Sequence, residues 1–326
     1  MEHKKKRLQN MRRRILWLEV ALLFFLFSFS FPFFITSRID AEVGDNVTVN
    51  SEFTVGTSNP TILSISIEGG SITLIPNATR TVNCSVILED FDGDTDLFNV
   101  SAVLFDEAFS SYGNGDDNND HYTNASCVLD LDYGDIYQAK TNCLFEMEYY
   151  ANPGTWNCSV SVEDFSAYSD FESNTTTIEQ LLAVGLPDTI DYGLINATFV
   201  SLEQVANVTN YGNVDLNISL SGYGSSEGDG SAMVCDYGSI GNIPIGFEKY
   251  NLTSAFAGEL TLSEFEERYT NLTTSPVVRE YSLPARTNDV SNDILNQTYW
   301  RIYVPAGVAG TCNGTILFGG VQAPGI

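Results

Sequence analysis

Residues 81–90, TVNCSVILED, and residues 155–164, TWNCSVSVED, decide the fold. In both segments an apolar side chain occupies every second position. The alternating sets are Val82, Cys84, Val86 and Leu88 in the first segment and Trp156, Cys158, Val160 and Val162 in the second. A period of two is typical of a β-strand with one buried face. We therefore predict two strands whose cysteines face a common core.

The six cysteines form an even set, and in an extracellular protein such a set favours disulfides. Six cysteines allow fifteen connectivities, so the pairing has to be inferred from the strand pattern. Strands B and F of an immunoglobulin-like sandwich carry cysteines that meet between its two sheets. Two other cysteines flank the turn DYGD at 132–135 and would face each other across a hairpin. The predicted disulfides are Cys84–Cys158, Cys127–Cys143 and Cys235–Cys312.

Short alternating runs bounded by Gly, Asn, Asp or Pro continue along most of the chain, and only LSEFEERY at 262–269 has a helical pattern. This composition predicts an all-β protein with two tandem immunoglobulin-like β-sandwiches after an N-terminal transmembrane helix. The predicted regions are a basic cytoplasmic tail (1–14), a transmembrane signal-anchor (15–35), a linker (36–57), a first sandwich (58–184) and a second sandwich (185–326).

The apolar run 15–35 follows seven Lys and Arg residues and contains a single charge, Glu19. Twenty-one residues of helix span about 31 Å, which is close to the thickness of a bilayer's hydrocarbon core. The cations predict a cytoplasmic N-terminus and an extracellular body. A cleaved signal peptide is the alternative, although no good cleavage site follows the run. Type IV pilins carry a glutamate near the start of their helix, so a pilin-like filament subunit is an alternative function.

Asn-x-Ser/Thr sequons are in excess in the predicted extracellular part, with fourteen after residue 38. The middle residue of most of them is apolar. A strand that buries this residue turns the asparagine outward, so the sequons predict both strand register and N-glycosylation. The alternative is a polar strand face without glycans. The sequon asparagines are Asn46, Asn77, Asn83, Asn99, Asn124, Asn157, Asn174, Asn196, Asn207, Asn217, Asn251, Asn271, Asn296 and Asn313.

Charge and composition argue against several classes of function. From residue 39 onward there are 40 Asp and Glu but 7 Lys and Arg, a net charge of −33 that repels nucleic acid. His121 is the only histidine after the apolar run, and we predict that it is a solvated loop residue. With no Cys-x-x-Cys pair, phosphate-binding loop or His-Glu-x-x-His motif, we predict neither an enzyme nor a small-molecule substrate, and no required cofactor.

Aspartates alternate around a glycine in DFDGDTD at 90–96, a pattern that offers the hard oxygen ligands of Ca²⁺. The spacing does not match an EF-hand. If the strands at 82–88 and 155–162 are B and F, the loops after them share one end of the sandwich, so acidic residues of both loops would meet. The alternative is a polar turn whose aspartates cap their own backbone. The predicted calcium ligands are Asp90, Asp92, Asp94, Asp96, Asp164 and Asp170.

The motifs TVNCSVILEDFDGDTDLFNVSAVLF, TWNCSVSVED and YVPAGVAGTCNGTILFGG together resemble uncharacterised immunoglobulin-like surface proteins of small-genome archaea. The resemblance covers about residues 58–322 and implies a glycosylated protein of the cell envelope. We therefore predict a non-enzymatic structural or adhesion module whose partners are other envelope proteins or surface glycans. A carbohydrate-binding module is a further alternative, with Tyr112, Tyr122, Tyr168 and Phe171 as its aromatic platform.

Overall fold

A computed structural model describes residues 48–289 and 292–323. Residues 48–55 have no regular secondary structure, and the described residues from Gly56 onward form one compact unit. The predicted cytoplasmic tail, the apolar run 15–35 and Asn46 lie outside the described residues. Within the described ranges, no helix is long and apolar enough to cross a membrane.

The N-terminal half of this unit is a sandwich of two sheets. One sheet has the order β1-β3-β7-β6, and the other has the order β2-β9-β8-β4-β5. All of these pairs are antiparallel except β2 with β9. The strands are β1 (Thr61–Ile67), β2 (Ser71–Ile72), β3 (Thr79–Glu89), β4 (Leu97–Asp106), β5 (His121–Asn124), β6 (Val128–Asp130), β7 (Gln138–Glu148), β8 (Gly154–Asp164) and β9 (Ser169–Ile178). Short 3₁₀ turns occur at Glu68–Gly70 and Asp94–Asp96.

Strands β3 and β8 contain the two segments that predict the fold, and they face each other from opposite sheets. All eight predicted inward side chains are fully buried in one core. Cys84 and Cys158 form a disulfide between the sheets. Cys127 precedes β6 and is joined to Cys143 in the paired strand β7, across the hairpin predicted around DYGD. The period-two interpretation of both segments is confirmed.

The C-terminal half consists of three sheets, ordered β10-β11-β18-β15-β16, β17-β12-β20 and β14-β13-β19. Its 3₁₀ turn is Ile245–Phe247 and its helix is α1 (Leu262–Arg268). The strands are β10 (Val184–Gly185), β11 (Gln204–Asn210), β12 (Leu216–Tyr223), β13 (Ser231–Gly238), β14 (Asn242–Pro244), β15 (Glu248–Asn251), β16 (Thr270–Asn271), β17 (Val277–Leu283), β18 (Leu295–Ile302), β19 (Val308–Asn313) and β20 (Thr315–Gln322).

The arrangement of this half differs from that of the first. Strands β11 and β12 belong to different sheets, so the chain crosses between sheets at 210–213 instead of forming a hairpin. The disulfide Cys235–Cys312 joins directly opposed residues of β13 and β19 within one sheet. Strand β10 pairs with β11, so it belongs wholly to the second half, and the predicted boundary between residues 184 and 185 falls inside it.

Helix α1 occurs where the helical pattern was found. Thr261 is its N-cap: the threonine hydroxyl accepts from the backbone N–H of Glu264, and the Glu264 side chain accepts from Thr261 N–H, a reciprocal capping box. Phe265 is fully buried on the inner face of the helix. The capping box and the buried Phe265 ring therefore account for a two-turn helix at this position.

Buried amides connect the two halves of the compact unit. Asn213 Nδ2, in the C-terminal half, donates to the backbone oxygen of Ala151 (2.9 Å) and to that of Glu179 (3.1 Å). Asn119 Nδ2, in the N-terminal half, donates to Arg286 O (3.0 Å), and the Arg286 guanidinium lies 4.1 Å from the centre of the Tyr150 ring. These contacts join the halves through specific hydrogen bonds.

The predicted outward direction of the sequon asparagines is found at all but one of the described positions. Of the thirteen sequon asparagines in the described ranges, twelve are exposed or half-buried. Asn217 contradicts the prediction because it is buried, and its Oδ1 accepts from Tyr281 N (2.9 Å) and Ser282 N (3.2 Å). Strand β12 is buried on both faces, so its register does not expose this asparagine.

Candidate functional site

The strongest candidate site lies at the end of the N-terminal sandwich where β3 and β8 stop. Asp90 follows Cys84 by six residues, and Asp164 follows Cys158 by the same number. The disulfide holds the two strands in matching register, so both aspartates reach the same end of the core. Both side chains are almost completely buried, Asp90 at 0% and Asp164 at 1% exposure.

Each buried carboxylate has one satisfied oxygen and one without a partner. Oδ1 of Asp90 accepts from Ser58 Oγ (3.1 Å) and from Asp92 N (2.9 Å), while Oδ1 of Asp164 accepts from Ser166 N and Tyr168 N (2.8 Å each). The Oδ2 atoms of both aspartates are buried and receive no hydrogen bond. Both oxygens are therefore free to bind a ligand.

Two further carboxylates, those of Asp92 and Asp96, converge on Asp90. Oxygen atoms of Asp90, Asp92 and Asp96 lie within 4.8 Å of one another. Phe165 N donates to Asp96 O (3.0 Å), which attaches the loop after β8 to the same cluster. Burial, together with the nearby charges of Asp164, Asp90 and Asp92, raises the pKa of Asp96. No ion pair among the described residues includes any of the four, which we call the acidic cluster.

The structure separates the other two predicted calcium ligands from the acidic cluster. Asp94 is not among the converging carboxylates. Asp170 is occupied elsewhere, since its Oδ2 accepts from Ile62 N (2.7 Å) and its Oδ1 from Phe171 N (2.9 Å). Asp170 lies in strand β9, and its hydrogen bond with Ile62 holds the beginning of β1 against that strand. Of the predicted six, the structure groups Asp90, Asp92 and Asp96. Asp164 stays a candidate because its buried Oδ2 has no partner and the residue after it, Phe165, is hydrogen-bonded to Asp96.

Exposed aromatic rings lie beside the acidic cluster. Phe98 and Phe165 are 57% and 66% exposed, and their ring centres are 5.1 Å apart. Phe91, 68% exposed, lies 6.1 Å from Tyr137 in the turn between β6 and β7. Asp90 N donates to Tyr137 O (2.8 Å), which holds that turn against the cluster. We call these two ring pairs the aromatic rim.

The aromatic platform predicted from sequence is only partly present. Tyr112 and Phe171 are exposed and pack edge to face at 5.0 Å, and Tyr168 is also exposed. Tyr122 is a correction: it is buried beside Trp156, and its hydroxyl donates to Asn118 O. Sequence reasoning missed Phe91, Phe98 and Phe165, although their position directly beside the aspartates and strand ends could have identified them.

His121 is not a solvated loop residue, which corrects that prediction. It begins β5, is fully buried, and stacks near Phe105. Its Nδ1 lies 3.0 Å from Ser110 Oγ, but its Nε2 has no partner. A catalytic triad needs a carboxylate on the second ring nitrogen, and this histidine lacks one. The Ser110–His121 contact therefore does not form a triad.

A second buried carboxylate lies in the C-terminal half. Glu248 lines a cleft of about 360 Å³ that also contacts Ile190, Ala206 and Phe318. Burial raises the pKa of Glu248 to about 7, partly offset by the Tyr192 hydroxyl, which donates to its Oε1 (2.8 Å). This glutamate is therefore largely protonated at mildly acidic pH.

Comparisons with known proteins identify no family. No family model and no curated protein sequence matches the chain. Among solved structures, it is similar to a DUF4785 family protein of Legionella pneumophila (9% identity, TM-score 0.25), covering 80% of this chain but only 47% of that one. A carbohydrate-binding module of the β-sandwich superfamily shows 9% identity and a TM-score of 0.24 over 82% of this chain and 100% of that one.

A third similar structure is the C-terminal domain of the AgI/II polypeptide BspA from Streptococcus agalactiae. It shows 11% identity and a TM-score of 0.22, with 81% of this chain and 99% of that chain covered. Likenesses this weak support no functional inference.

Proposed function

We propose that the protein is a non-enzymatic, N-glycosylated surface module that binds saccharides through the aromatic rim. The observation that carries this proposal is the placement of exposed ring pairs, Phe98–Phe165 and Phe91–Tyr137, beside carboxylates at one end of a sandwich. Flat aromatic faces pack against the apolar faces of sugar rings, and carboxylates accept hydrogen bonds from sugar hydroxyls. Large exposed rings that are grouped together mark binding surfaces more often than scattered ones do.

The strand order of the N-terminal half supports an immunoglobulin-like assignment. Strands β1, β3, β7 and β6 have the order A-B-E-D, and β9, β8 and β4 have the order G-F-C. In this assignment the acidic cluster and the aromatic rim lie at the B–C and F–G loops. Variable domains use the loops at this end of the sandwich for recognition.

Several features support display outside the cell. All six cysteines are paired in disulfides, which persist in oxidising compartments. Twelve described sequon asparagines are accessible to some degree, and the apolar run 15–35 with its basic flank would serve as the anchor. Together these features support the proposal that the body is displayed outside the cell.

An array of immobilised oligosaccharides tests the binding proposal. The full-length protein should bind a subset of the glycans. The Phe98→Ala/Phe165→Ala variant should lose about tenfold or more of that signal, because complete burial of a phenylalanine side chain contributes about 1.5–3 kcal/mol. Tyr237→Ala is the matched control, since Tyr237 is 71% exposed in the other half. Absence of binding to any glycan, or equal loss in the control, would contradict the proposal.

Protease treatment of intact cells tests whether the body of the protein is displayed outside the cell. Fragments from about residue 40 onward should be digested while the basic tail stays protected, because the charge asymmetry across the apolar run orients it. A body that is digested only after lysis would overturn this orientation.

A further inference from the structure

We propose that Asp90, Asp92, Asp96 and Asp164 bind one Ca²⁺ between the loops that follow β3 and β8. The site stands on the geometry of the acidic cluster and does not depend on saccharide binding. Asp90, Asp92 and Asp96 lie in the loop between β3 and β4, with oxygens within 4.8 Å of one another, and Asp164 ends β8 in the sheet opposite β3. The ion would therefore connect the two sheets at the end of the sandwich.

The two unpartnered oxygens are the main argument. A buried charged oxygen without a partner is costly, and native structures contain few of them. In the part of the chain that the structure describes, Oδ2 of Asp90 and Oδ2 of Asp164 are the buried carboxylate oxygens that lack a hydrogen bond. The hydrogen bond from Phe165 N to Asp96 O brings the loop after Asp164 against the loop after Asp90, so we expect one cation to satisfy both oxygens.

Asp106 provides an internal comparison. It is as buried as Asp164, at 1% exposure, and also ends a strand of this sandwich. Its Oδ1 accepts from Ala108 N (2.9 Å) and its Oδ2 from Asn152 Nδ2 (3.1 Å). A buried aspartate in this fold can thus be fully satisfied by protein groups, and the acidic cluster is an exception.

The chemistry and spacing of the ligands favour Ca²⁺. The cluster presents only carboxylate oxygens, whereas zinc sites in proteins are built mainly from cysteine and histidine. Two oxygens that each bind an ion at about 2.4 Å can be at most about 4.8 Å apart. The oxygens of Asp90, Asp92 and Asp96 lie within this limit. Mg²⁺ needs shorter distances of about 2.0–2.1 Å and keeps several waters, so it fits irregular loops less well.

The surrounding backbone already holds the ligands in place. Asp92 Oδ2 accepts from Ser58 N (2.7 Å), and the Asp94–Asp96 turn follows immediately. On the other loop, two backbone amides donate to Asp164 Oδ1, and its Oδ2 is left without a hydrogen-bond partner. A preorganised site of this kind reduces the ordering that must accompany binding.

Calorimetric titration of the chelator-treated full-length protein with CaCl₂ tests the site, and thermal unfolding with and without CaCl₂ gives a second measurement. The wild type should bind one Ca²⁺ per chain and unfold at a higher temperature when the ion is present, because an ion that binds only the folded state stabilises it. MgCl₂ at equal concentration should raise the midpoint less.

Asp164→Asn is the decisive variant, and Asp132→Asn, an exposed aspartate in the β6–β7 turn, is its charge-matched control. Asp164→Asn should weaken Ca²⁺ binding by at least about tenfold, since mutation of residues that only support the direct ligands already lowers the affinity of metal sites by about that factor. Without metal, Asp164→Asn should unfold at a temperature no lower than that of the metal-free wild type, because the substitution removes a buried unpaired charge. Such an unfolding midpoint would also show that the variant folds. The control should bind as the wild type does.

Three results would overturn the proposal. The first is no binding heat together with an unchanged unfolding midpoint in the wild type. The second is wild-type Ca²⁺ affinity in Asp164→Asn. The third is an equal or larger response to Mg²⁺, which would contradict the assignment of calcium.

Discussion

The two halves of the compact unit each contain a long-range disulfide, and the two bridges are used differently. Cys84–Cys158 spans 74 residues and Cys235–Cys312 spans 77, so both close chain loops of nearly equal length. The first lies fully buried between two sheets, whereas the second joins neighbouring strands of one sheet near the surface. The two disulfides therefore make nearly the same chain-entropy contribution to stability. Any difference between their stabilising effects comes from the surroundings of the sulfur atoms.

The halves also differ in how they bury charge. In the C-terminal half, the fully buried Arg301 donates to Ser201 O (2.7 Å), Gly258 O (2.9 Å) and Tyr269 Oη (3.1 Å). Lys249, 1% exposed, pairs with Glu266. In the N-terminal half, two buried carboxylate oxygens have no protein partner. In the C-terminal half the buried Arg301 and Lys249 are therefore satisfied by protein groups, whereas in the N-terminal half the proposed Ca²⁺ would supply the partner that these carboxylates lack.

Removing the disulfides should give the largest effect. We expect Cys84→Ala/Cys158→Ala to lower the free energy of unfolding by about 4–5 kcal/mol from loop entropy, with an added loss because buried sulfurs leave a cavity. Cys235→Ala/Cys312→Ala should lose the same loop-entropy contribution to the free energy of unfolding, but little more, because its sulfur atoms are less buried and leave a smaller cavity. Urea unfolding of the full-length protein measures both. A larger loss in the second variant would reverse the comparison.

Replacing the buried arginine tests whether the C-terminal half depends on its internal hydrogen bonds. Arg301→Met should lower the free energy of unfolding by about 4 kcal/mol, because several buried acceptors lose their donor at once. Arg268→Met is the control: this arginine is 40% exposed and pairs with Glu264 at 3.9 Å, so its loss should cost less than about 1 kcal/mol. Similar effects of the two substitutions would show that the buried network contributes little.

The smallest expected effect concerns Glu248 and pH. Its pKa is about 7 in the folded protein and ordinarily 4.5, so between these values the folded state holds a proton that the unfolded state has released. Stability should therefore fall as pH rises across this window, by about 3 kcal/mol in total. Glu248→Gln should remove this dependence and be more stable than wild type above pH 7.

Urea unfolding at pH values from about 4 to 8 measures the effect. Glu259→Gln, at an exposed position, is the control and should leave the slope unchanged. A Glu248→Gln variant with the wild-type pH dependence would show that burial of this carboxylate carries no energetic penalty.

The sequence by itself determined the strands of the N-terminal half. Alternation of apolar residues depends only on the geometry of a strand, so Val82, Cys84, Trp156 and Cys158 could be assigned to a buried face without a structure. The same local logic placed the disulfide pairs and helix α1. It also brought Asp90 and Asp164 to one end, because both follow their cysteines by six residues in strands that run in the same direction.

Only the tertiary structure decided which polar residues are buried and which have partners. His121, Tyr122 and Asn217 carry no local signal of burial, since what covers them comes from segments distant in sequence. Asp170 resembles Asp164 in the sequence, but it is hydrogen-bonded to the strand β1, 108 residues away in the chain. Local patterns set the direction of a side chain along its own strand, whereas its burial and partners depend on how separate strands pack, and that information is spread over the whole chain.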